Sequence, residues 1–223
     1  MSKRIVIVSG GKLEEELVLS LLTKEENQNI IGVDKGMEFL YRHQIMPSYI
    51  VGDFDSVSRE IGDYYRNETD VPIREYNPVK DASDTEIAIR LAMTLGGREL
   101  LILGATGGRI DHLWANVQSL MIPFKAGVDA RILDEQNRIR LIHGDVTLKR
   151  SEAYGPYFSV FPLGEVIYGF NISGAKYPLE DHILTPYDSL CVSNQFEEEE
   201  VTISAPGGTV ILMETRDKKA ESN

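Results

Sequence analysis

The sequence has a single cysteine, Cys191, and no apolar run approaches the ~20 residues that a membrane-spanning helix needs. One cysteine excludes an internal disulfide and a cysteine-rich zinc site. Basic residues are also scarce, since 23 Lys and Arg face 35 Asp and Glu, for a formal net charge of −12. This charge argues against binding to nucleic acid, whose phosphates require a basic surface, whereas a cationic small substrate would be favoured.

The overall composition is that of an ordinary globular protein. The 223 residues are 42% hydrophobic and 26% charged, which is enough for one large domain or two modest ones, each with a core. The first apolar stretch, Ile5–Val8, is too short for a signal peptide and runs into Ser9-Gly10-Gly11, so it predicts a strand. We therefore expect a cytoplasmic protein that does not associate with membranes.

The first 135 residues alternate short apolar runs with segments of helical periodicity. This pattern is typical of a parallel sheet with helices on both faces, and it predicts a Rossmann-like α/β domain over residues 1–135. The predicted strands are Arg4–Ser9, Ile30–Val33, Tyr49–Val51, Ile73–Tyr76, Glu99–Leu103 and Val128–Leu133. A leucine-rich stripe from Leu113 to Phe124 predicts a helix, and we expect the adjacent Trp114 to pack in the core.

Residues 136–217 instead show short β-rich runs between Pro- and Gly-rich segments, which predicts an all-β sandwich domain, or alternatively a barrel-like one, followed by a tail at 218–223. A hairpin is expected around His143-Gly144-Asp145, and Pro206-Gly207-Gly208 is the clearest predicted turn. The predicted strands are Arg138–His143, Asp145–Lys149, Tyr157–Phe161, Glu165–Phe170, Ser189–Ser193, Val201–Ala205 and Thr209–Thr215.

Two carboxylates follow the strand that ends at Val51, in the segment Gly52-Asp53-Phe54-Asp55-Ser56. In an extended backbone Asp53 and Asp55 point the same way, and a divalent cation with oxygen ligands would offset their repulsion. The alternative is an acidic turn whose side chains bond only to their own backbone.

Another carboxylate, Asp84, lies in a capping box formed by Ser83 and Glu86. Its presence in a first helical turn is also explained by the helix dipole alone. Because ligands bind beyond the carboxyl ends of parallel strands, however, Asp53, Asp55 and Asp84 are expected at one sheet edge, where they could share a hard cation.

The glycine-rich segment Gly104–Arg109 follows a predicted strand and opens a helix. Its glycines would let backbone N–H groups approach phosphate oxygens near Thr106, and Arg109 could supply a bidentate fork. A glycine pair is alternatively just a turn. The segment Ser9–Lys12 lacks both the dinucleotide-binding spacing and the Gly-Lys-Ser/Thr ending of a P-loop, which disfavours those two classes.

Four segments in this order resemble the thiamine pyrophosphokinase family. They are Asp34-Lys35-Gly36, Gly52–Ser56, Lys80–Asp84, and Gly107–His112 with Asn116. In the C-terminal half, Ser173–Leu179 and Ser193-Asn194 are similar to the thiamine-binding region of the family. One departure is Lys35, because the family commonly has two glycines after the first aspartate.

The resemblance implies transfer of the pyrophosphoryl group of ATP to the hydroxyl of thiamine, giving thiamine diphosphate and AMP. It also implies Mg²⁺ and a homodimer in which thiamine lies between the α/β domain of one subunit and the β domain of the other. Two alternatives stay open: a related nucleotide-dependent transferase with a different alcohol acceptor, and a non-catalytic thiamine-binding protein.

Site residues follow from the same resemblance. Asp53, Asp55 and Asp84 would be the metal ligands and, with Arg109, the catalytic residues. Thiamine would contact Tyr177, Ser193 and Asn194. The ATP site would comprise Asp34, Lys35, Lys80, Asp81, Thr106, Arg109 and Asp111.

Overall fold

The computed structural model describes residues 3–23, 29–52, 54–74 and 82–218. The chain divides into two compact units, Met1–Asp134 and Glu135–Asn223, which together give a mixed α/β fold. Within the described residues, none of the helices combines the length and apolar character that crossing a bilayer demands.

The N-terminal unit alternates strands and helices. Its strands are β1 (Arg4–Val8), β2 (Asn29–Val33), β3 (Tyr49–Val51), β4 (Ile73–Arg74), β5 (Glu99–Leu103) and β6 (Asp129–Leu133). Its helices are α1 (Glu15–Leu22), α2 (Gly36–Arg42), α3 (Arg59–Asn67), α4 (Asp84–Thr94), α5 (Ile110–Ser119) and α6 (Met121–Lys125).

The six strands in the described residues of this unit pair in parallel, in the order β6-β5-β1-β2-β3-β4. The β1 residues Ile5–Val8 are fully buried, as expected for a strand covered on both faces. Each predicted strand of the unit has a counterpart, although the end predicted for β4, at Tyr76, lies outside the described residues. Parallel pairing brings the carboxyl ends of the strands to one edge of the sheet.

Helices α4 and α5 show where local sequence signals succeed and fail. The Ser83 hydroxyl accepts a hydrogen bond from the Glu86 amide at 3.3 Å, which confirms that Ser83 is the N-cap of α4. In α5, Val117 is buried, but Trp114 is 50% exposed. The prediction that Trp114 packs in the core is therefore wrong, because its position on the helix is rotated away from the buried stripe.

The described part of the C-terminal unit, up to residue 218, consists of antiparallel strands and one short 3-10 helix, Arg150–Glu152. Strand β12 pairs with β7, β8 and β9, while β9 also pairs with β10 and β8 with β11. Its core includes the fully buried rings of Phe158 and Phe170. The strands are β7 (Asn137–Lys149), β8 (Tyr157–Pro162), β9 (Ile167–Ser173), β10 (Leu179–Leu184), β11 (Asn194–Gln195) and β12 (Glu200–Thr215).

Two predicted turns of this unit are wrong. Residues 137–149 form one strand rather than a hairpin, and they pair with β12 from Asn137↔Thr215 to Lys149↔Glu200. Between Ala205↔Gly144 and Thr209↔His143 the register shifts, so Pro206-Gly207-Gly208 is a bulge within β12. Gly144 has φ +67°, which lets β7 bend opposite the bulge without ending.

A third error concerns the segment before β11. Residues 189–193 form turns and bends instead of the predicted strand. The sequence analysis also missed β10, whose half-exposed, charge-containing sequence lacks a clear apolar alternation.

Candidate functional site

A pocket of about 260 Å³ lies at the carboxyl edge of the parallel sheet of the N-terminal unit. Its walls are the segments that follow β1, β2, β3 and β5, together with the first turns of α4 and α5. The sequence analysis expected this convergence from the parallel topology. The lining residues are Ser9, Gly10, Gly11, Asp34, Lys35, Ser56, Thr85, Gly104, Ala105, Thr106, Gly108, Arg109, His112, Leu113 and Asn116.

Backbone hydrogen bonds hold the β1 and β5 loops together at the base of this pocket. The Gly11 amide donates to the Gly104 carbonyl at 2.8 Å, and the Lys12 amide donates to the Thr106 carbonyl at 2.9 Å. A Cβ on Gly11 would lie 2.4 Å from the Thr106 oxygen and 2.5 Å from the Gly104 oxygen, so a side chain there would force the loops apart. The glycines thus allow main chain, rather than side chains, to form this wall.

Asp34 and Lys35 line the pocket between the end of β2 and the start of α2. Asp34 has φ +47°, which turns the chain sharply out of the strand. The next glycine, Gly36, packs so closely on β1 that a Cβ would lie 2.0 Å from the Val8 carbonyl oxygen. The Lys35 side chain is exposed, and none of the ion pairs among the described residues includes it.

Arg109 forms a two-point ion pair with Asp111 at the start of α5. The guanidinium Nε donates to Oδ1 at 3.1 Å, while a terminal nitrogen donates to Oδ2. The hydrogen bond from Arg109 lowers the pKa of Asp111, and the same bond raises the pKa of Arg109, so both groups are charged at neutral pH. Of these two residues, Arg109 lines the pocket.

The pocket wall contains several hydroxyl and amide groups to which the sequence analysis assigned no role. The hydroxyls of Ser9 and Thr85 lie 3.1 Å apart and buried, and the Asn116 amide donates to the Ala105 carbonyl at 3.0 Å. The buried Ser56 hydroxyl has no hydrogen-bond partner in the described part of the chain. Ser9 and Ser56 lie in the segments that follow β1 and β3. This position after a parallel strand was the sequence signal that could have identified them as site residues.

Thr106 both lines the pocket and supports it. Its hydroxyl donates to Asp134 Oδ2 at 2.6 Å, which ties the β5 loop to the residue following β6. This bond fixes the orientation of the Thr106 side chain. The backbone carbonyl of Thr106 accepts the hydrogen bond from the Lys12 amide.

Two of the three carboxylates predicted to bind metal, Asp55 and Asp84, are next in sequence to pocket residues. Asp55 is exposed and precedes Ser56, while Asp84 is half-buried in the first turn of α4 and precedes Thr85. Asp53, and likewise Lys80 and Asp81 of the predicted ATP site, lie outside the described residues. Across residues 3–23, 29–52, 54–74 and 82–218, no three His, Cys, Asp or Glu side chains form a cluster that could hold a metal ion. The Mg²⁺ site stays a prediction.

In the C-terminal unit, Asn194 is buried and holds the backbone of Tyr177. Its Oδ1 accepts from the Tyr177 amide at 3.0 Å, and its Nδ2 donates to the Tyr177 carbonyl at 2.8 Å. Tyr177 itself is 55% exposed. Ser193 is exposed with φ +56°, and its amide donates to the Ser159 hydroxyl at 3.0 Å. Asn194 therefore positions Tyr177, while Ser193 and the Tyr177 ring face outward.

A parallel α/β unit with a glycine-lined pocket at its carboxyl edge, and with arginine and lysine beside it, defines an α/β protein suited to a phosphate-bearing ligand. Models of two family domains match the chain in this context. Residues 21–132 match the catalytic domain of thiamin pyrophosphokinase, and residues 145–210 match its vitamin B1 binding domain.

Similar proteins carry the same assignment. A curated thiamine pyrophosphokinase from Bacillus subtilis is 32% identical over 96% of this chain and all of its own length. The crystal structure of the thiamine pyrophosphokinase from B. subtilis superposes with a TM-score of 0.85 at 29% identity, covering 97% of this chain and 100% of that one. The structure from Geobacillus thermodenitrificans gives 0.82 at 30% identity, with coverage of 97% and 99%.

The chain therefore belongs to the thiamine pyrophosphokinase family, and it is an enzyme. The family resemblance and the activity predicted from sequence are confirmed. The two alternatives, a non-catalytic thiamine-binding protein and a transferase with another acceptor, are not favoured.

Proposed function

We propose that the pocket at the sheet edge binds the phosphates of ATP and that the hydroxyl of thiamine attacks the β-phosphorus, which gives thiamine diphosphate and AMP. One observation supports this proposal most directly. Backbone hydrogen bonds between glycine-containing segments join the β1 and β5 loops next to Lys35 and Arg109. Pyrophosphoryl transfer depends on positioning and on neutralising phosphate charge more than on covalent catalysis.

In this proposal the described residues of the ATP site either bind the phosphates or shape the pocket wall. Lys35 and Arg109 neutralise the negative charge on phosphate oxygens. Arg109 can release Asp111 and donate its two hydrogen bonds to a phosphate group instead. Asp34 and Thr106 shape the wall that the nucleotide meets. Lys80 and Asp81, which lie outside the described residues, are proposed members on the family resemblance alone.

Magnesium is the proposed metal, and the donors fit it because carboxylate oxygens are the ligands that this hard cation prefers. Asp53, Asp55 and Asp84 would hold it beside the pocket. When bound, Mg²⁺ would neutralise charge on the phosphate oxygens. The residues of the chain would then orient the nucleotide and exclude water.

The C-terminal unit is proposed to bind thiamine through Tyr177, Ser193 and Asn194, since the vitamin B1 binding model covers all three. Three further predictions likewise stay proposals. They are the domain boundaries 1–135, 136–217 and 218–223, the Rossmann-like and β-sandwich architectures, and a cytoplasmic location. The parallel strand order supports the Rossmann-like architecture, and the antiparallel pairings support an all-β C-terminal unit.

ATP labelled at the β-phosphorus tests the reaction. We expect all of the label to enter thiamine diphosphate and AMP to accumulate one-for-one with it, as followed by phosphorus NMR. A reaction mixture without thiamine is the control and should release no AMP. Label retained in ADP, with thiamine monophosphate as the product, would contradict attack at the β-phosphorus.

We also propose a homodimer formed through the C-terminal unit. The outer face of β9 and β10, opposite the core, exposes Tyr168 by 69% and Ile183 by 51%. We expect sedimentation velocity to show a dimer, and Tyr168→Glu to give an inactive monomer, because a buried unpaired charge opposes association. Thr147→Glu, an exposed substitution on β7, is the control and should stay dimeric. An active monomer at assay concentration would refute the proposal.

A further inference from the structure

A second and larger pocket lies in the N-terminal unit, between the end of α2 and the C-terminal half of α3. Its volume of about 510 Å³ is within the range of ~300–1,000 Å³ that is common for small-molecule sites. We call it the tyrosine pocket. Its walls include Tyr41, Arg42, Gln44, Met46, Tyr64 and Tyr65.

The tyrosine pocket is separate from the candidate active site. Helix α2 begins at Gly36, directly after Asp34 and Lys35, and ends at Arg42 in the tyrosine pocket. Its seven residues span roughly 10 Å at 1.5 Å per residue. Among the described residues, the two sets of lining residues have no member in common. A ligand in the tyrosine pocket would therefore not occupy the nucleotide site.

Aromatic rings form one wall of the tyrosine pocket. The ring centroids of Tyr41 and Tyr64 are 4.9 Å apart, and those of Tyr64 and Tyr65 are 5.2 Å apart, each pair edge-to-face. The buried Tyr65 hydroxyl lies 3.5 Å from the Met37 carbonyl oxygen, and burial raises its pKa to about 12. Tyr41 and Tyr64 are half-buried, and their hydroxyls bond to none of the described residues. These two side chains thus offer ring surface and phenol donors to a ligand.

Arg42 supplies a positive charge at the rim. Its side chain is exposed, its Nε donates to the Glu38 carbonyl at 3.4 Å, and within the described residues it forms no ion pair with a carboxylate. Arg59 and Arg90 of the same unit each pair with a carboxylate one helical turn away, whereas the exposed Arg98 resembles Arg42 in forming no ion pair within the described residues, although it does not line this pocket. In a chain of net charge −12, an arginine without such a partner beside an aromatic pocket is suited to an anionic group.

We propose that the tyrosine pocket is a second ligand site, which binds a small planar aromatic molecule carrying one anionic group. The ring of the ligand packs against Tyr41 and Tyr64, and its anionic group accepts hydrogen bonds from Arg42. The site is independent of the thiamine and ATP chemistry assigned to the protein.

Fluorescence titration with 1-anilinonaphthalene-8-sulfonate, a planar aromatic anion, tests this site on the full chain. We expect saturable binding that Arg42→Gln weakens about 10-fold, because a charge-assisted hydrogen bond is lost. At the exposed mouth, Met46→Glu should weaken binding and Met46→Lys should strengthen it. Arg59→Gln, whose side chain is 95% exposed outside the pocket, is the matched control and should leave the affinity unchanged.

Excess ATP distinguishes this site from the nucleotide pocket. We expect ATP not to displace the probe. Displacement by ATP, an affinity that Arg42→Gln leaves unchanged, or the absence of saturable binding would each overturn the proposal. The two Met46 variants change only the charge at an exposed position, so they keep the test decisive even if the Arg42 variant folds poorly.

Discussion

Replacing Asp55 with Asn is expected to lower kcat/KM by at least ~100-fold while the melting temperature stays within a few degrees of the parent value. A metal ion contributes several kcal/mol of charge stabilisation in a transition state, and each 1.36 kcal/mol corresponds to a factor of ten in rate. Asp55 is exposed, so the neutral amide removes little packing. Steady-state AMP release at several Mg²⁺ concentrations, together with thermal melting, measures both quantities.

Asp63→Asn is the matched control for this substitution. Asp63 lies on α3, the helix that follows Asp55, and its 53% exposed side chain pairs only with Arg59 among the described residues. An exposed ion pair of this kind contributes little to stability, so turnover and melting should both be unchanged. Normal activity of the Asp55 variant at ordinary Mg²⁺ would remove Asp55 from the proposed metal site.

Replacing Arg109 with Gln is expected to lower kcat/KM for ATP by about 100-fold, because one preorganised donor to developing phosphate charge is lost. The cost should appear in kcat as well as in KM, since the fork acts most strongly in the transition state. Arg90→Gln is the control, because Arg90 is a similarly exposed arginine that is paired with Glu86 on α4. Its activity should equal that of the parent.

The partner of Arg109 provides a further test through a double-substitution cycle. Asp111→Asn alone should have a smaller effect than Arg109→Gln, because Asp111 acts on phosphate through the guanidinium that it orients. The double variant should then be no worse than Arg109→Gln within about 2-fold, since residues in direct contact are not additive. Losses that multiply would show that the two residues act independently.

The location of the candidate site was predictable from sequence because it follows from topology. Segments after the predicted strands had to meet at one edge once the strands were parallel, and the pocket indeed contains Asp34, Thr106 and Arg109. The backbone hydrogen bonds that hold the walls of that pocket together were not predictable. The bond from the Gly11 amide to the Gly104 carbonyl joins residues whose proximity depends on sheet register, which no local pattern encodes.

The two wrongly predicted turns of the C-terminal unit have a common cause. Gly144 and Pro206–Gly208 are turn-forming sequences, yet the structure uses them as a bend and a bulge within the long β7–β12 pair. Local turn propensity was outweighed by strand pairing on both sides of each segment. Asn194 illustrates the same limit in the predicted thiamine site, because its amide is committed to the Tyr177 backbone, a contact between residues 17 positions apart.

The β7–β12 pair also dictates the order in which the C-terminal unit can assemble. Its first strand pairs with its last described strand, so that Asn137 meets Thr215, and β8 and β9 also pair with β12. Non-local contacts of this kind carry a loop-closure cost and slow folding. During synthesis, β7 therefore cannot pair with β12 until the segment near Thr215 has left the ribosome, whereas the parallel pairings among β1 to β6 do not involve β12. In ribosome-bound chains that stop before residue 200, we therefore expect β7, β8 and β9 to lack β12, the strand with which each of them pairs.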